Sequence, residues 1–370
     1  MNPEFLDHKL QDRFHQDAYR RLQLAEGKHD FFSNDYLGIS KNGLIEAALE
    51  GQSYSHGSTG SRLLAGNYPL IEETEKLIAA FHQSPSALIF NSGYDANLGL
   101  MGCVAGRGDT ILYDKLSHAS IRDGIRLSPA SAFSFAHNDP EDLEKKLQKK
   151  KGNCFVVTES VFSMDGDQAP LHEVVARCER YEANLIVDEA HATGVIGELG
   201  EGLMQKEGLH RRCFARIHTF GKALGCHGAA ILGSELLRNY LINFSRAFIY
   251  TTALPPAAVA GIRASYGIFP ALHSERAHLN RLISIFLKNQ FVRAESGAVF
   301  TFKPSGTPIQ CLLIPGNGNV KAVSNHLAEL HMDIRPILYP TVPQGEERLR
   351  IALHSYNTME EVQQLFLGLK

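Results

Sequence analysis

No two cysteines in this sequence are spaced for a zinc ribbon or a disulfide framework. The six, Cys103, Cys154, Cys178, Cys213, Cys226 and Cys311, are scattered with no C-x-x-C among them, and they read as small buried hydrophobes. Charge of one sign is equally lacking. Lys and Arg number 37 against 40 Asp and Glu, a formal net charge of -3, so nothing electrostatic points to nucleic acid or an anionic membrane as partner. Small molecules are the expected ligands. No hydrophobic run approaches a membrane span, and Met1-Asn2-Pro3-Glu4-Phe5 turns polar without the charged, apolar and small-residue succession of a secretory signal. The expected address is the cytoplasm. Internal repeats and low-complexity tracts are missing, and the lysine-rich stretch 145–151 reads as a solvated helix end.

What is present is an ordinary globular composition, 44% hydrophobic and 21% charged over 370 residues, enough for one large domain and a smaller one. Short apolar runs at 87–90, 110–113, 154–157, 184–187, 216–218 and 229–232 are bounded by polar residues or glycine and read as buried strands of a largely parallel sheet. Between them lie amphipathic stretches such as 71–81, where Ile71, Thr74, Leu77, Ile78 and Phe81 share a helical face. This is the α/β pattern. Pro255-Pro256 marks a break. Beyond it, helical patterns at 257–269, 275–291, 320–330 and 359–369 surround strand candidates near Cys311, Ile334 and Leu349. The expected organisation is an N-terminal segment over 1–40, a large domain over 41–254 and a smaller α+β domain over 255–370.

In open α/β sheets ligands collect at the carboxyl ends of strands. Polar residues follow several runs here: Asn91-Ser92-Gly93-Tyr94, Thr158-Glu159, Asp188-Glu189-Ala190-His191 and Thr219-Phe220-Gly221-Lys222. Asp188 and His191 could share a metal ion, but no third ligand at matching spacing accompanies them and no metal is expected. The letters D-E-A-H also suit a nucleotide hydrolase, whose phosphate loop is missing: Ala223 follows Lys222, and Arg216 stands where a glycine is required. The bland reading of Asp188 and His191 is a strand-end cap and a satisfied interior histidine. Lys222 alone would pass for a surface lysine. Asp188 and Lys222 are one strand–helix–strand step apart, however, so both can face one crevice. An aldehyde cofactor needs a lysine for its imine, and a pyridine ring acting as electron sink needs a carboxylate against its nitrogen.

At these residues the chain resembles the α-oxoamine synthases, pyridoxal-phosphate enzymes of fold type I. The motifs run from Phe32-Ser33-Asn34-Asp35-Tyr36-Leu37-Gly38 through Gly57-Ser58-Thr59-Gly60-Ser61-Arg62, Asn91-Ser92-Gly93-Tyr94, Ser117-His118-Ala119-Ser120 and Phe162-Ser163-Met164-Asp165-Gly166-Asp167. They continue through Asp188-Glu189-Ala190-His191, Thr219-Phe220-Gly221-Lys222, Tyr250-Thr251-Thr252-Ala253-Leu254-Pro255 and Arg348-Leu349-Arg350, spanning about nine tenths of the chain in consistent order. The resemblance implies a mostly parallel seven-stranded sheet with a smaller C-terminal domain, and pyridoxal 5'-phosphate bound as a Schiff base to Lys222. It implies that Asp188 pairs with the pyridine nitrogen, that His191 and Ser163 address the ring's phenolic oxygen, and that His118 stacks on the ring. Ser92, Gly93, Tyr94 and Thr219 would line the phosphate pocket, joined by Thr251 or Thr252 from the neighbouring subunit of a homodimer. Arg350 would grip the amino-acid carboxylate with its bidentate fork. Asn34 matches a substrate-contacting position, and Arg20 and Thr341 match positions associated with the acyl partner.

The reaction implied is a decarboxylative condensation of an amino acid with an acyl thioester carried on coenzyme A or an acyl carrier protein. Lys222 would be the base for the α-proton. The wording of Phe162 to Leu171 and of Asp188 to Gly202 is most similar to the members that join alanine to a pimeloyl thioester; siblings use glycine or serine with other acyl groups. An aminotransferase or lyase on the same fold, and a scaffold that has lost its cofactor, are the rival readings. Three departures stand out: a short stretch between Arg21 and Phe31, His218 where a glycine often precedes the threonine, and Cys226-His227 beside the lysine loop.

Overall fold

The apolar runs become strands of one sheet in the computed structural model, which describes residues 3–22, 24, 27–289, 291–293, 297 and 299–370. The chain forms two compact units, one of Leu37–Ser163 with Gln168–Arg276, the other of Met1–Tyr36, Met164–Asp167 and Ala277–Lys370. In the first and larger unit, β1 (Ser86–Phe90), β2 (Thr110–Asp114), β3 (Ser131–Phe135), β4 (Cys154–Glu159), β5 (Asn184–Asp188), β6 (Ala215–Thr219) and β7 (Ala229–Gly233) form a seven-stranded sheet in the order β1-β7-β6-β5-β4-β2-β3. β7 runs against its two neighbours; the other six strands are parallel to one another. Every residue of β1, β4 and β6 is buried, which is why these strands read as unbroken apolar runs. The edge strand β3 has only Phe135 buried, so it lacks such a run and left no expectation in the sequence.

One face of the sheet presents Leu88, Ile111, Val157, Ile186, Ile217 and Ile231 to Leu100 and Met101 of the helix Gly93–Val104 and to Ile121 and Ile125 of the helix Ala119–Leu127. These two helices approach closely at Gly124, where an added Cβ would fall 2.8 Å from Met101 Cβ and 2.9 Å from the Asn97 carbonyl oxygen. The helix expected over 71–81 runs Pro69–Phe81 and buries Ile71, Thr74, Glu75, Ile78 and Ala79. Leu77 is 39% exposed, contrary to expectation. The buried stripe is turned toward Glu75, which pairs with Arg62 and accepts the Ile89 N–H.

Pro255-Pro256 proves to be a helix entrance. Pro256 opens the helix Pro256–Ile268, as its preset φ and missing N–H allow, and that helix packs on Pro69–Phe81 and on Leu44–Ala48. The larger unit accordingly continues to Arg276, beyond the break expected at Pro255.

The smaller unit holds β8 (Phe291–Arg293), β9 (Val299–Lys303), β10 (Ile309–Leu313), β11 (Arg335–Ile337) and β12 (Arg348–Ala352), an antiparallel sheet in the order β11-β12-β10-β9-β8. The helices Asn317–Glu329 and Met359–Gly368 accompany it, the latter opened by a capping box between Thr358 and Glu361. The helix expected over 275–291 is His273–Lys288; Gln290 lies outside the described residues. The strand expected near Ile334 is divided. Met332–Asp333 pairs in parallel with His29–Asp30, and Arg335–Ile337 pairs with β12. Phe31, fully buried, extends the link by donating to the Asp333 carbonyl and accepting from Ala352 N–H. No helix among the described residues is long and apolar enough to cross a membrane.

Asp165, from the short segment Met164–Asp167, joins this unit through two cations. Its carboxylate takes Lys303 Nζ at 2.7 Å and the Arg348 guanidinium. Burial works against the charge, but the Lys303 hydrogen bond and the Arg348 charge overcome it and hold the carboxyl below its ordinary pKa. The stability this contributes is complete above the usual carboxylate range and is lost as pH falls through the depressed value. Asp165→Asn, which takes the buried counterion from Arg348 and leaves it only the exposed Glu346, should lower unfolding free energy by about 3 kcal/mol. Urea denaturation at neutral pH measures this, and the difference from wild type should shrink at acid pH.

Candidate active site

Because six strands are parallel, the carboxyl ends of β1, β2, β4, β5 and β6 share one edge, and the polar residues that follow each run are gathered there. Ser92 follows β1 and caps the helix Gly93–Val104, its Oγ accepting the Asp95 N–H. His118 follows β2 and caps Ala119–Leu127. Glu159 ends β4 and lies opposite Asp188, which ends β5. Thr219 ends β6 and leads into the turn that carries Lys222.

Asp188 is 4% exposed, and a carboxylate so placed requires donors. Asn97 Nδ2 supplies one to Oδ2 at 2.8 Å and the Ala190 N–H another to Oδ1 at 2.9 Å. Asn97 also donates to Ser120 Oγ, 2.7 Å from His118 Nδ1. The His118 N–H donates to Glu159 Oε1 at 2.6 Å, which closes a web from one side of the edge to the other. Lys222 Nζ and His191 Nε2 are 2.8 Å apart.

Burial pushes the Glu159 carboxyl up, the Asp188 charge adds to this, and the His118 N–H resists; the result is about 8. Burial lowers the His118 imidazole, with Asp188 opposing and Lys222 reinforcing that shift. At neutral pH this edge therefore presents an uncharged imidazole and an uncharged acid beside Asp188.

The residues fit pyridoxal phosphate on three counts. Lys222 offers an amine for the aldehyde, and Asp188 is a buried carboxylate already positioned by two donors for a ring nitrogen. Third, Thr219 packs directly against the start of the helix Gly93–Val104, so closely that a Cβ on Gly93 would lie 2.5 Å from Thr219 Cγ2. Thr219 Oγ1 is buried with no hydrogen-bond partner among the described residues, and the helix Gly93–Val104 opens at the same place. A phosphate would answer both the unpaired hydroxyl and the free N–H groups of the first turn.

Other expected residues are placed as follows. Tyr94 is 44% exposed, its hydroxyl bonded to Asp123, so its main-chain N–H is what it offers to an anion. Ser163 is half-buried just beyond β4. Thr251 Oγ1 and the Thr252 carbonyl both accept from Asn91 Nδ2 of their own chain. In the smaller unit, Asn34 Oδ1 accepts from Arg350 Nη2 at 2.9 Å and from the Tyr36 hydroxyl at 3.0 Å, so residues from opposite ends of the chain meet. Arg20 Nη2 donates to Thr341 Oγ1 at 2.9 Å.

Two site residues had not been singled out. Glu159 was legible as the polar end of a buried strand, and Asn97 as a polar residue one helical turn beyond Gly93. The stretch between Arg21 and Phe31 includes Gln23, Ala25 and Glu26, which lie outside the described residues; His218 and Cys226 have local explanations. His218 is adjacent to Thr219 on β6, so its side chain faces the opposite side of the sheet. There its Nδ1 meets Thr193 Oγ1 at 2.8 Å and its ring lies 3.9 Å from that of His82. The Cys226 N–H donates to the Phe220 carbonyl and closes the lysine turn.

A parallel sheet whose carboxyl edge gathers a lysine, a buried aspartate and a helix N-terminus defines a pyridoxal-phosphate enzyme of fold type I. The chain belongs to the aminotransferase class I and II family, whose pattern matches residues 26–366, and within it to the α-oxoamine synthases, which are acyltransferases. It is 40% identical over 350 residues to an 8-amino-7-oxononanoate synthase of Marinobacter nauticus, covering 93% of this chain and 88% of that protein. Its fold is similar to that of a serine palmitoyltransferase of S. paucimobilis, at TM-score 0.86 and 25% identity over 99% of this chain and 96% of the other. It is also similar to 8-amino-7-oxononanoate synthase of Francisella tularensis, at TM-score 0.78 and 28% identity over 93% and 97% of the two chains.

Gly93→Ala tests the cradle. The added methyl must displace Thr219, so the dissociation constant for pyridoxal phosphate should rise about tenfold or more, read by absorbance titration, and the cofactor-free protein should lose about 1–3 kcal/mol of unfolding free energy.

Proposed function

We propose that this chain condenses L-alanine with a pimeloyl thioester, on coenzyme A or an acyl carrier protein, releasing thiol and carbon dioxide and giving 8-amino-7-oxononanoate for biotin synthesis. What carries this reading is the 40% identity, over 93% of the chain, to a relative bearing that activity in its name. The closer backbone overlap with serine palmitoyltransferase comes at 25% identity and speaks for shared fold more than for shared substrate. The enzyme would work in the cytoplasm, where acyl thioesters are made.

Pyridoxal phosphate, when bound, supplies an electron sink for the amino acid's α-carbon. Lys222 anchors it and, once its amine is free, takes the α-proton. Asp188 holds a proton on the pyridine nitrogen, which Asn97 and the Ala190 N–H make possible by fixing the carboxylate. His191 and Ser163 address the phenolic oxygen, and His118 packs on the ring. Ser92, Thr219 and the N–H groups of Gly93 and Tyr94 take the phosphate. To Arg350, kept in place by Asn34 and Tyr36, falls the substrate carboxylate; Arg20 and Thr341 serve the acyl partner. We further propose a homodimer, with Thr251 or Thr252 completing the phosphate pocket of the other subunit; light scattering of the cofactor-loaded protein would return the mass of two chains.

The assay is thiol release with alanine, glycine or serine against pimeloyl, acetyl, succinyl or palmitoyl thioesters. Alanine with the pimeloyl thioester should give the highest kcat/KM. Preference for glycine with acetyl-CoA would transfer the protein to a sibling activity, and cofactor binding without any condensation would favour an aminotransferase or lyase. Lys222→Ala should lower kcat by about a thousandfold or more.

A further inference from the structure

Glu159 closes β4 directly opposite Asp188 at the end of β5, and it is 3% exposed. Two carboxyl groups ending adjacent strands in the same dry edge disfavour each other's ionisation. They are not equally equipped. Asp188 receives the Asn97 amide and the Ala190 N–H, whereas the His118 main-chain N–H is what Glu159 Oε1 receives. That single bond ties Glu159 to the residue expected on the face of the cofactor. The ionisable groups around Glu159 are Asp188 on β5, Asp114 at the end of β2, Lys222 beyond β6 and the imidazole of His118; the two aspartates disfavour its charge and Lys222 favours it.

We propose that Glu159 is a positioning residue that serves as an uncharged acid: its carboxyl fixes His118 through the main chain and leaves the negative charge beside the cofactor's ring nitrogen to Asp188. The inference rests on Lys222 and Asp188 holding pyridoxal phosphate as set out above. A charged Glu159 would add a second negative group at the next strand end and let nearby cationic groups, including the Lys222 imine, keep their protons to higher pH. Below about pH 8 Glu159 is neutral and this influence is off; above it the influence is on.

The conservative substitution is informative because glutamine has the shape and the carbonyl of the neutral acid but cannot ionise. Full-length wild type, Glu159→Gln and Glu159→Ala are compared. Infrared difference spectra of wild type minus Glu159→Gln, which need no cofactor, should contain a protonated-carboxyl band at neutral pH that fades as pH rises through about 8. Cofactor-loaded wild type, titrated without substrates, should show an absorbance step in the same range that Glu159→Gln lacks. Glu159→Ala leaves the His118 N–H without its acceptor, and with alanine and pimeloyl thioester its kcat should be about tenfold or more below that of Glu159→Gln, with KM for alanine less affected. The proposal is overturned if the infrared difference contains no protonated acid, if Glu159→Gln titrates as wild type does, or if Glu159→Gln is as slow as Glu159→Ala. Failure of Glu159→Gln to fold or to load cofactor overturns it as well, since a neutral isostere is what the role requires. The infrared and absorbance arms use no thioester, so their outcome is separate from whether alanine and pimeloyl are the substrates.

Discussion

Asn97 Nδ2 donates to Asp188 Oδ2 over 2.8 Å, and much of the larger unit is arranged so that this bond can exist. A carboxylate at the end of an inner strand has given up most of its water, and the loss is tolerable only if donors replace it. The donor has to come from the helix Gly93–Val104, and that helix can lie close enough because Gly124 presents no side chain to it. Parallel pairing of β4, β5 and β6 then brings Glu159 level with Asp188 and carries Thr219 two residues past Ile217, the partner of Asp188 on β6. The chemistry at the edge follows from where these strands stop.

Three interior acids illustrate how partners decide charge. Asp165 has two cations and is held ionised against its burial. Asp188 has two N–H donors and the family role of an anion. Glu159 has one main-chain donor and two carboxylate neighbours, and it is pushed up to about 8. Burial alone would have raised both Asp165 and Glu159. The difference lies in a few contacts, each worth about 1–3 kcal/mol when a charged group is involved, which is enough to move a protonation equilibrium by one or two pH units.

Much of this was legible in the sequence because the physics that builds inner parallel strands also marks them. Strands buried on both faces must be apolar throughout, and the polar residues after each run are then candidates for the site; Ser92, Asp188 and Thr219 stood out in this way, and their expected roles came from the resemblance. β3 was not, because an edge strand with only Phe135 buried carries no run. Asn97 escaped because a helix records the direction of a side chain but not the identity of what it meets. Glu159 was visible as a strand end, yet its protonation depends on Asp188 and Asp114, distant in sequence. Pro255-Pro256 looked like a boundary since proline ends helices as well as starting them, and only the packing of Pro256–Ile268 on its neighbours decides which. The pairings Asn34 with Arg350 and Arg20 with Thr341 join residues more than three hundred positions apart; their roles came from resemblance, their proximity from the fold.

The smaller unit is assembled from three stretches of chain, Met1–Tyr36, Met164–Asp167 and Ala277–Lys370, and this has a consequence for how the protein can be divided. A gene fragment beginning at Ala277 would encode every strand of the antiparallel sheet, yet it would omit His29–Asp30, the partner of Met332–Asp333, and Asp165, the counterion of Lys303 and Arg348. Such a fragment would expose an unpaired strand edge and leave the buried Arg348 with the exposed Glu346 in place of its buried counterion. The C-terminal hundred or so residues therefore do not constitute a module that evolution could shuffle or an experimenter could excise. They become a domain only when the beginning of the chain and four residues from its middle return to complete them.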